Sequence, residues 1–253
     1  MNQIGRSIAS RTSSPDRVGS LEKGIGLLDI LAANPAGLTL TQVAERAKLT
    51  RAGARRLLLS LVATGHVGQE GRRFLLTPRL LTMARTWLQG VSLWDFALPY
   101  MHEVANALDE SCSAAILADT DVVYVARVPG AQRIMSAALS VGTRLPAYCT
   151  SMGRVLLSDL PPPELENLLR RANIRVHTKK TIVNRVEIAR AVRQAGEHGF
   201  ALVDEELEIG LRSIAVPVRD RAGRIAAAIN VPAQSQRYTV QELERRALPH
   251  LRK

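Results

Sequence analysis

Residues 38–77 read LTLTQVAERAKLTRAGARRLLLSLVATGHVGQEGRRFLLT, and this stretch decides the fold of the first part of the chain. Its apolar spacing predicts a short helix that begins at Thr39 or Thr41, a break, and a second helix that Thr50 caps. Two short strands then pair around residues 70–72. Helix, turn, helix and hairpin in this order predict a winged helix-turn-helix, which binds double-stranded DNA.

The second helix of this unit begins with basic and small residues. Arg51 and Arg55 lie about one turn apart, and Ala52 between them would let the helix approach a major groove closely. Arg56 points about 100° away from Arg55, so we expect it to bind phosphate. An ordinary solvated helix face can carry the same arginines, but the basic hairpin that follows favours DNA binding. The other predicted DNA contacts lie at helix starts and at the hairpin tip: Thr41, Thr50, Arg72 and Arg73.

The basic excess of the chain is concentrated in the same part. The 253 residues carry a net charge of +11, and residues 1–90 hold 13 Lys and Arg against 5 Asp and Glu. Most of the excess, +8, therefore lies in the first third. A localised positive charge favours binding to a polyanion, because counterions are released when the two associate.

Length and composition exclude several classes of protein. A chain of this length favours two domains. No apolar run approaches the roughly 20 residues of a membrane span, and the N-terminus lacks an apolar export signal, so we expect a cytoplasmic location and no membrane partner. Cys112 and Cys149 form no CxxC pattern, and the five histidines lack metal-ligand spacing. We therefore expect neither a metal nor a cofactor.

The sequence divides into segments at glycine and proline. Ser20 is expected to cap the first helix of the DNA-binding unit. A helix from Pro78 would pack against a second subunit or against its own head domain, because one side of it is apolar: Leu80, Leu81, Ala84, Trp87 and Leu88. The predicted domains are a flexible basic arm, a winged helix-turn-helix, a linker and dimerisation helix, and an effector-binding domain, at residues 1–19, 20–77, 78–90 and 91–253.

The second domain alternates predicted helices and strands. Adjacent strands with short turns predict an antiparallel sheet flanked by helices, so the fold class is α+β. Strands are expected near residues 111–118, 122–128, 133–139, 200–204, 211–218 and 224–231. Helices are expected over residues 95–109, after a cap at Thr150 or Ser151, near 163–171, over 185–198 and from Thr239.

Several segments resemble the isocitrate lyase regulator (IclR) family of bacterial transcription factors. In the first domain they are SLEKGIGLLDIL and RRFLLTPRLL, beside the helix-turn-helix itself. In the second they are RIMSAALSVGTRLPAYCTSMGRVLL and GFALVDEELEIGLRSIAVPVRDRAGRIAAAIN, and the resemblance covers essentially residues 20–250. The segments LPAYCTSMGRVLL and DEELEIGLRSIAVPVRD resemble the branch of this family that controls aromatic-acid catabolism through protocatechuate and β-ketoadipate.

The resemblance implies a function as well as a fold. It implies a homodimer or a dimer of dimers that binds palindromic operator DNA, with a GAF-like effector domain that binds a small organic acid. Protocatechuate, 4-hydroxybenzoate, β-ketoadipate and muconate are the candidate effectors.

The effector is expected between the sheet and the segment after residues 145–146. The resemblance places there Leu145, Tyr148, Thr150, Ser151, Met152, Val203, Leu211, Ser213 and Asn230, with Ile134 and Ala137 as further wall residues. Hydroxyl and backbone N–H groups at a helix start can bind a carboxylate, and Arg133 or Arg212 would add a clamp. Alternatively, Arg212 pairs with Glu205 or Glu206, and Tyr148 and Met152 are ordinary packing residues.

Two other functions compete with a ligand-responsive regulator. One is a constitutive DNA-binding protein whose second domain only oligomerises. The other is a hydrolase with Cys149 as nucleophile and His102, His177 or His198 as base. Since none of these residues lies in a recognisable catalytic motif, we expect no enzyme.

Overall fold

The computed structural model describes residues 18–89, 93–130 and 139–253. These residues divide between two compact units, with the boundary between Gly90 and Val91. Each unit has its own buried apolar core.

The first unit packs its helices against a small antiparallel sheet. Its core includes Leu27, Val43, Leu58 and Phe74, all buried. The strands lie in the order β1-β3-β2. In chain order the elements are α1 (Gly19–Ala32), β1 (Leu38–Thr39), α2 (Leu40–Ala47), α3 (Arg51–Ala63), β2 (Val67–Glu70), β3 (Arg73–Leu76) and α4 (Arg79–Gln89).

Side-chain caps determine where α2 and α3 begin. Thr39 and Gln42 form a reciprocal capping box at the start of α2, which agrees with the first of the two predicted starts. Lys48 adopts a left-handed conformation with φ 54° and ends α2. The hydroxyl of Thr50 accepts a hydrogen bond from the backbone N–H of Gly53 at 3.1 Å, as predicted for the cap of α3.

The predicted cap at Ser20 is wrong. Helix α1 begins at Gly19, and its N-terminal cap is Val18, whose side chain makes no capping hydrogen bond. The backbone carbonyl of Val18 instead accepts from the N–H groups of Leu21 and Glu22, at 2.9 and 3.2 Å. Ser20 therefore lies inside the first turn.

Helix α4 follows Pro78, as the sequence predicts. On this helix Leu81 is 72% exposed and Met83 is 55% exposed. The side chains of Trp87 and Leu88, predicted on the same apolar side, lie outside the described set.

The second unit is built on an antiparallel sheet in the order β6-β5-β4-β9-β8-β7. Its strands are β4 (Cys112–Ala118), β5 (Asp121–Val128), β6 (Arg144–Pro146), β7 (Ala201–Asp204), β8 (Leu211–Arg219) and β9 (Ile225–Gln234). Its helices are α5 (Leu93–Leu108), α6 (Ser151–Leu157), α7 (Pro162–Arg171), α8 (Arg185–His198) and α9 (Val240–Leu251).

This agrees with the predicted α+β architecture, with one difference at the edge of the sheet. Strand β6 was not predicted, and it pairs with β5 through Val122 and Leu145. The strand expected over 133–139 lies outside the described residues except for Leu139, which is not in a strand.

One face of the sheet carries the apolar core that surrounds the candidate site. Ala115, Tyr124 and Ala228 on the strands pack there with Met152 of α6 and Ile188 of α8. Helices α5 and α9 pack against the sheet as well. Helix α6 contacts β4, β8 and β9, so its first turn lies over the central strands.

Candidate functional site

Helix α3 presents its arginines to solvent. Arg51, Arg55 and Arg56 are exposed, whereas Ala54 and Leu58 on the opposite side are fully buried. Within the described parts of the chain, these arginines form no ion pair or hydrogen bond through their side chains. The three guanidinium groups are therefore available to an anionic partner.

The smaller predicted contacts lie beside them. Ala52 and Thr50 are exposed at the start of α3, and Thr41 is exposed in the first turn of α2. The hydroxyl of Thr50 is used in capping, because it accepts from Gly53 N.

The hairpin between β2 and β3 separates the two arginines predicted at its tip. Arg72 is exposed in the turn, next to Gly71 with φ 58°. Arg73 is the first residue of β3 and pairs with Thr39 of β1. Its Nη1 donates to the carbonyl of Gly37 at 2.8 Å. The prediction that Arg73 lies at the tip is therefore corrected, since strand pairing draws its side chain back to the start of β1.

A small cavity, part of it open to solvent, lies between α6 and the sheet. Eight predicted effector residues line it: Leu145, Thr150, Ser151, Met152, Val203, Leu211, Ser213 and Asn230. The structure also brings Tyr124, Leu139, Cys149, Leu207 and Pro232 to the same wall. Most of these side chains are apolar, so the cavity suits a ligand with an apolar body.

Two buried polar atoms at this cavity have no hydrogen-bond partner within the described structure. They are Oγ of Ser151, whose residue is 1% exposed, and Oδ1 of Asn230, whose residue is 5% exposed. Leaving a buried polar group unpaired costs about 1–3 kcal/mol. Polar groups of a ligand in the cavity would remove that cost.

Thr150 also lines the cavity, but its hydroxyl is already used. It donates to the carbonyl of Pro146 at 2.9 Å and accepts from Gly153 N at 3.2 Å, which caps α6. This selects Thr150 over Ser151 as the cap and leaves the hydroxyl of Ser151 unpaired.

Tyr148 and Arg212 do not line the cavity. The hydroxyl of Tyr148 donates to the carbonyl of Arg175 at 2.8 Å and lies 3.0 Å from His177 Nε2. Arg212 binds Asp204 through Nε at 2.8 Å and Nη2 at 2.6 Å. Its Nη1 bonds the carbonyls of residues 235 and 238.

For Arg212 the ion-pair alternative therefore describes the structure, with Asp204 in place of Glu205 or Glu206. The register of β7 and β8 sets this partner, because Asp204 lies directly opposite Arg212. Arg133, Ile134 and Ala137, the remaining predicted effector contacts, lie outside the described residues.

Some cavity-lining residues were not predicted from the sequence. Only for some of these does the sequence contain a pattern that could have placed them at the cavity. Pro232 lies two positions after Asn230 on β9, and residues two apart share a face of a strand. Leu207 lies in the loop between β7 and β8, where no periodicity predicts its orientation. For Cys149 the sequence offers either a nucleophile or a small buried apolar residue, and the residue is buried.

A buried ion pair connects α6 to the loop between β7 and β8. Nη2 of Arg154 lies 2.7 Å from Oε2 of Glu206, and both side chains are buried. Nε of Arg154 donates to the carbonyl of Tyr148 at 3.3 Å, and Glu206 also accepts from Ile182 N at 3.2 Å. The pair thus connects α6 to the segment that carries Leu207.

The thiol of Cys149 is not activated as a nucleophile. Burial raises its pKa to about 12, against the opposing effect of a hydrogen bond with Tyr148. The thiol is therefore protonated at neutral pH, whereas a catalytic cysteine needs a lowered pKa.

Residues 18–89, 93–130 and 139–253 contain no cluster of His, Cys, Asp and Glu that could hold a metal ion. No helix in these same ranges is long and apolar enough to cross a membrane.

A winged helix-turn-helix with an exposed basic helix, joined in one chain to a sheet domain with a mostly apolar cavity, defines the class of ligand-sensing transcriptional regulators. Two family models match the chain. Residues 20–71 match the IclR helix-turn-helix domain, and residues 85–253 match the C-terminal domain of bacterial transcriptional regulators of the IclR type. The chain belongs to the IclR family.

Named relatives agree with this assignment. The Pca regulon regulatory protein of Pseudomonas putida is 38% identical over 244 residues, which cover 96% of this chain and 84% of that protein. The crystal structure of a transcriptional regulator from Rhodococcus sp. RHA1 is 41% identical with a TM-score of 0.78, and the match covers 93% of this chain and 94% of that one. The predicted resemblance to the protocatechuate branch is confirmed.

A ligand complex of one relative covers only the second domain. It is a double mutant of the inducer-binding domain of the PobR transcription factor from Acinetobacter, bound to 3-hydroxybenzoic acid. That domain is 29% identical to this chain, with a TM-score of 0.58, and the match covers 63% of this chain and 93% of the domain.

Proposed function

We propose that this regulator binds palindromic operator DNA as a homodimer or a dimer of dimers, and that an aromatic carboxylate in the cavity changes its operator affinity. The controlled genes would be those of aromatic-acid catabolism, in the cytoplasm where the DNA lies. The name of the P. putida relative and the aromatic acid bound to the PobR domain support this.

Operator recognition is assigned to the exposed face of α3. Arg51 and Arg55 would read base edges in the major groove, with Ala52 allowing a close approach. Arg56, Thr41 and the backbone beside Thr50 would bind phosphates. Arg72 at the hairpin tip would reach the neighbouring minor groove or backbone. The exposure of all three α3 arginines supports this assignment.

Effector binding is assigned to the cavity beneath α6, and one observation carries it: the two unpaired buried atoms, Ser151 Oγ and Asn230 Oδ1. A polar aromatic ligand in the cavity would supply hydrogen-bond partners to both atoms. Apolar walls suit the ring of protocatechuate or 4-hydroxybenzoate better than the open chains of β-ketoadipate or muconate. Those walls include Leu145, Met152 and Val203.

The segments predicted from the sequence suggest how effector binding would change DNA binding. The domains would be a basic arm at 1–19, the head at 20–77, the linker helix at 78–90 and the effector domain at 91–253. Effector binding would change the relative orientation of two heads through the linker helix of each subunit. We propose no catalytic step, since the protonated Cys149 is a poor nucleophile.

The test is operator binding with and without effector. An operator is first selected from randomised duplexes with the full-length protein, and fluorescence anisotropy then follows its binding while each of the four acids is titrated. We expect one aromatic acid to change the operator Kd, with no change from its methyl ester. A selected operator that no acid affects would leave a constitutive DNA-binding protein.

A further inference from the structure

We propose that Arg127 of β5 binds the carboxylate of the effector, and so makes the cavity selective for acids. This rests on the proposed function, because it assigns a residue to the same cavity. The position of Arg127 on the sheet, the use of its guanidinium and its effect on the cavity wall all point to this role.

The strand register places Arg127 on the face of the sheet that carries the cavity, next to the lining residues rather than among them. Ser113 of β4 lies directly opposite Arg127 on one side and directly opposite Asn230 on the other. Residues opposite each other in an antiparallel pair share a face of the sheet. Since Asn230 lines the cavity, Arg127 lies on the cavity face, two strands away.

An irregularity in β5 produces this orientation. The register shifts between Ala114 and Ala115, so that Ala114 lies opposite Ala126 and Ala115 lies opposite Tyr124. Residue Val125 is the extra residue of a bulge. Because of it, Arg127 and Tyr124 face the same side, although residues three apart on a regular strand face opposite sides.

The side chain of Arg127 reaches from β5 to β4. Its Nη1 donates to Oγ of Ser113 at 3.0 Å, and its Nη2 donates to Oγ of Ser111 at 3.1 Å. Both serines are buried. Asn230 lies directly opposite Ser113 on the next strand, and neighbouring strands lie about 4.8 Å apart.

The positive charge of Arg127 is not neutralised by the protein. No carboxylate within the described ranges forms an ion pair with it, and its two partners are neutral hydroxyls. By contrast, Arg154 pairs with Glu206, and Arg212 pairs with Asp204. An arginine has five N–H donors, so donors remain for a carboxylate after the two serine bonds.

The charge also acts on a residue of the cavity wall. Burial raises the pKa of Tyr124 to about 12, and the nearby positive charge of Arg127 opposes that rise. Tyr124 lines the cavity. A carboxylate that loses its water shell in an apolar cavity needs such a charge, because neutral hydroxyls alone compensate only part of its desolvation.

The experiment separates charge recognition from shape. Calorimetry measures the affinity of the full-length protein for the tightest-binding of the four acids and for the methyl ester of that acid. In Arg127→Met we expect the affinity for the acid to fall about 10- to 100-fold, with the ester unaffected. Arg144→Met is the matched control, because Arg144 lies on the same sheet in an exposed pair with Asp121, and we expect no effect there.

The other outcomes distinguish a failure of the proposed function from a failure of the role assigned to Arg127. Wild-type protein that binds no acid overturns the proposed function itself. Acid affinity unchanged in Arg127→Met, with wild-type binding intact, overturns only the role of Arg127. Equal losses for acid and ester would mean that Arg127 merely shapes the cavity. If Arg127→Met shows no cooperative thermal unfolding, it has not folded. The affinities for acid and ester are then compared in Arg127→Gln, which keeps hydrogen-bond donors for the two serines.

Discussion

At the scale of single residues, we expect the arginines of α3 to have separable roles in DNA binding. The spacing of Arg51 and Arg55 places both on one side of the exposed face, and Arg56 lies about 100° around the helix. A side chain that reads a base contributes to specific binding alone, whereas a phosphate contact contributes to binding on any duplex. Substitutions can therefore distinguish the two kinds of contact.

We predict that Arg51→Ala or Arg55→Ala weakens binding to the selected operator by about 1–3 kcal/mol. Binding to random DNA should change less, because a base contact is lost. Arg56→Ala should weaken both duplexes to the same extent and lower the salt dependence. Anisotropy at several salt concentrations measures both effects. Unchanged operator binding in both Arg51→Ala and Arg55→Ala would refute the assignment of α3, and Arg144→Ala is the control.

Thiol chemistry provides a second prediction at this scale. Burial raises the pKa of both Cys112 and Cys149 to about 12, so both are protonated at pH 8. Native protein should react slowly with a disulfide reagent, and unfolded protein should react fully. Cys149→Ser should keep operator affinity. Rapid labelling of Cys149 in the native protein would contradict the account and revive its role as a nucleophile.

At the scale of elements, the junction before α6 decides where the cavity residues lie. The 3-10 turn Ala147–Cys149 precedes the helix. A Cβ added at Gly153 would lie 2.0 Å from the carbonyl oxygen of Ala147. Glycine at this position therefore permits a backbone contact that sets the first turn, with Ser151 and Met152, against the cavity.

We predict that Gly153→Ala destabilises the second unit by about 1–3 kcal/mol or more, and weakens effector binding, because the helix must move away from the turn. Gly24→Ala in α1 is the matched control. Among the described residues, no heavy atom beyond the adjacent backbone of α1 itself lies within 4 Å of a Cβ at Gly24, so alanine there should be neutral or stabilising by about 1 kcal/mol. Thermal unfolding and calorimetry check both variants. Wild-type stability in Gly153→Ala would contradict the described packing.

The buried pair between α6 and the 205–210 loop supports a further prediction. Arg154→Met should lower the free energy of unfolding by about 3–5 kcal/mol, because Glu206 would remain buried without its cation. Adding Glu206→Leu should restore much of the loss, since no buried charge then remains. Denaturant unfolding measures all three proteins. If the single and double variants lose the same free energy of unfolding, Arg154 and Glu206 are not energetically coupled.

Elements with local signals were predictable from the sequence, and those that depend on distant pairing were not. Thr50, Thr150 and Thr239 each cap a helix through their own hydroxyl, which a sequence reveals. Strands β1 and β6 have two and three residues and form only by pairing with distant strands. No local periodicity could have predicted them.

The same distinction applies to the candidate site. The resemblance to the IclR family predicted the segment around Ser151, Leu211 and Ser213 of β8, and Asn230 of β9 at the cavity, and they line it. Arg127 was missed because a bulge decides which way it faces. The partner of Arg212 depends on the β7–β8 register, which a single sequence does not provide.

At the scale of the whole molecule, one buried carboxyl links the pH to the stability of the fold. Glu110 precedes β4 and pairs with Arg237, which precedes α9, through Oε1 at 2.7 Å. Its Oε2 is buried without a hydrogen-bond partner among the described residues. Burial raises the pKa of Glu110 to about 7, against the opposing charge of Arg237.

The pH dependence follows from this raised pKa. The folded protein holds a proton that the unfolded chain releases near pH 4.5, so the stabilising contribution is complete below that pH and is lost as the pH rises through about 7. We predict that the free energy of unfolding of wild type falls relative to Glu110→Gln between pH 5 and pH 8. Denaturant unfolding at both pH values measures it. A constant difference between the two proteins would contradict the shift.

The central claim is that operator and effector binding are coupled within one molecule. Coupling is reciprocal, so an acid that changes operator affinity must have its own affinity changed by operator DNA by the same factor. The most direct measurement is the effector Kd by calorimetry with and without saturating operator, beside the operator Kd by anisotropy with and without effector. We predict equal factors of about 5- to 150-fold. An effector that binds the cavity but leaves both constants unchanged would contradict the account.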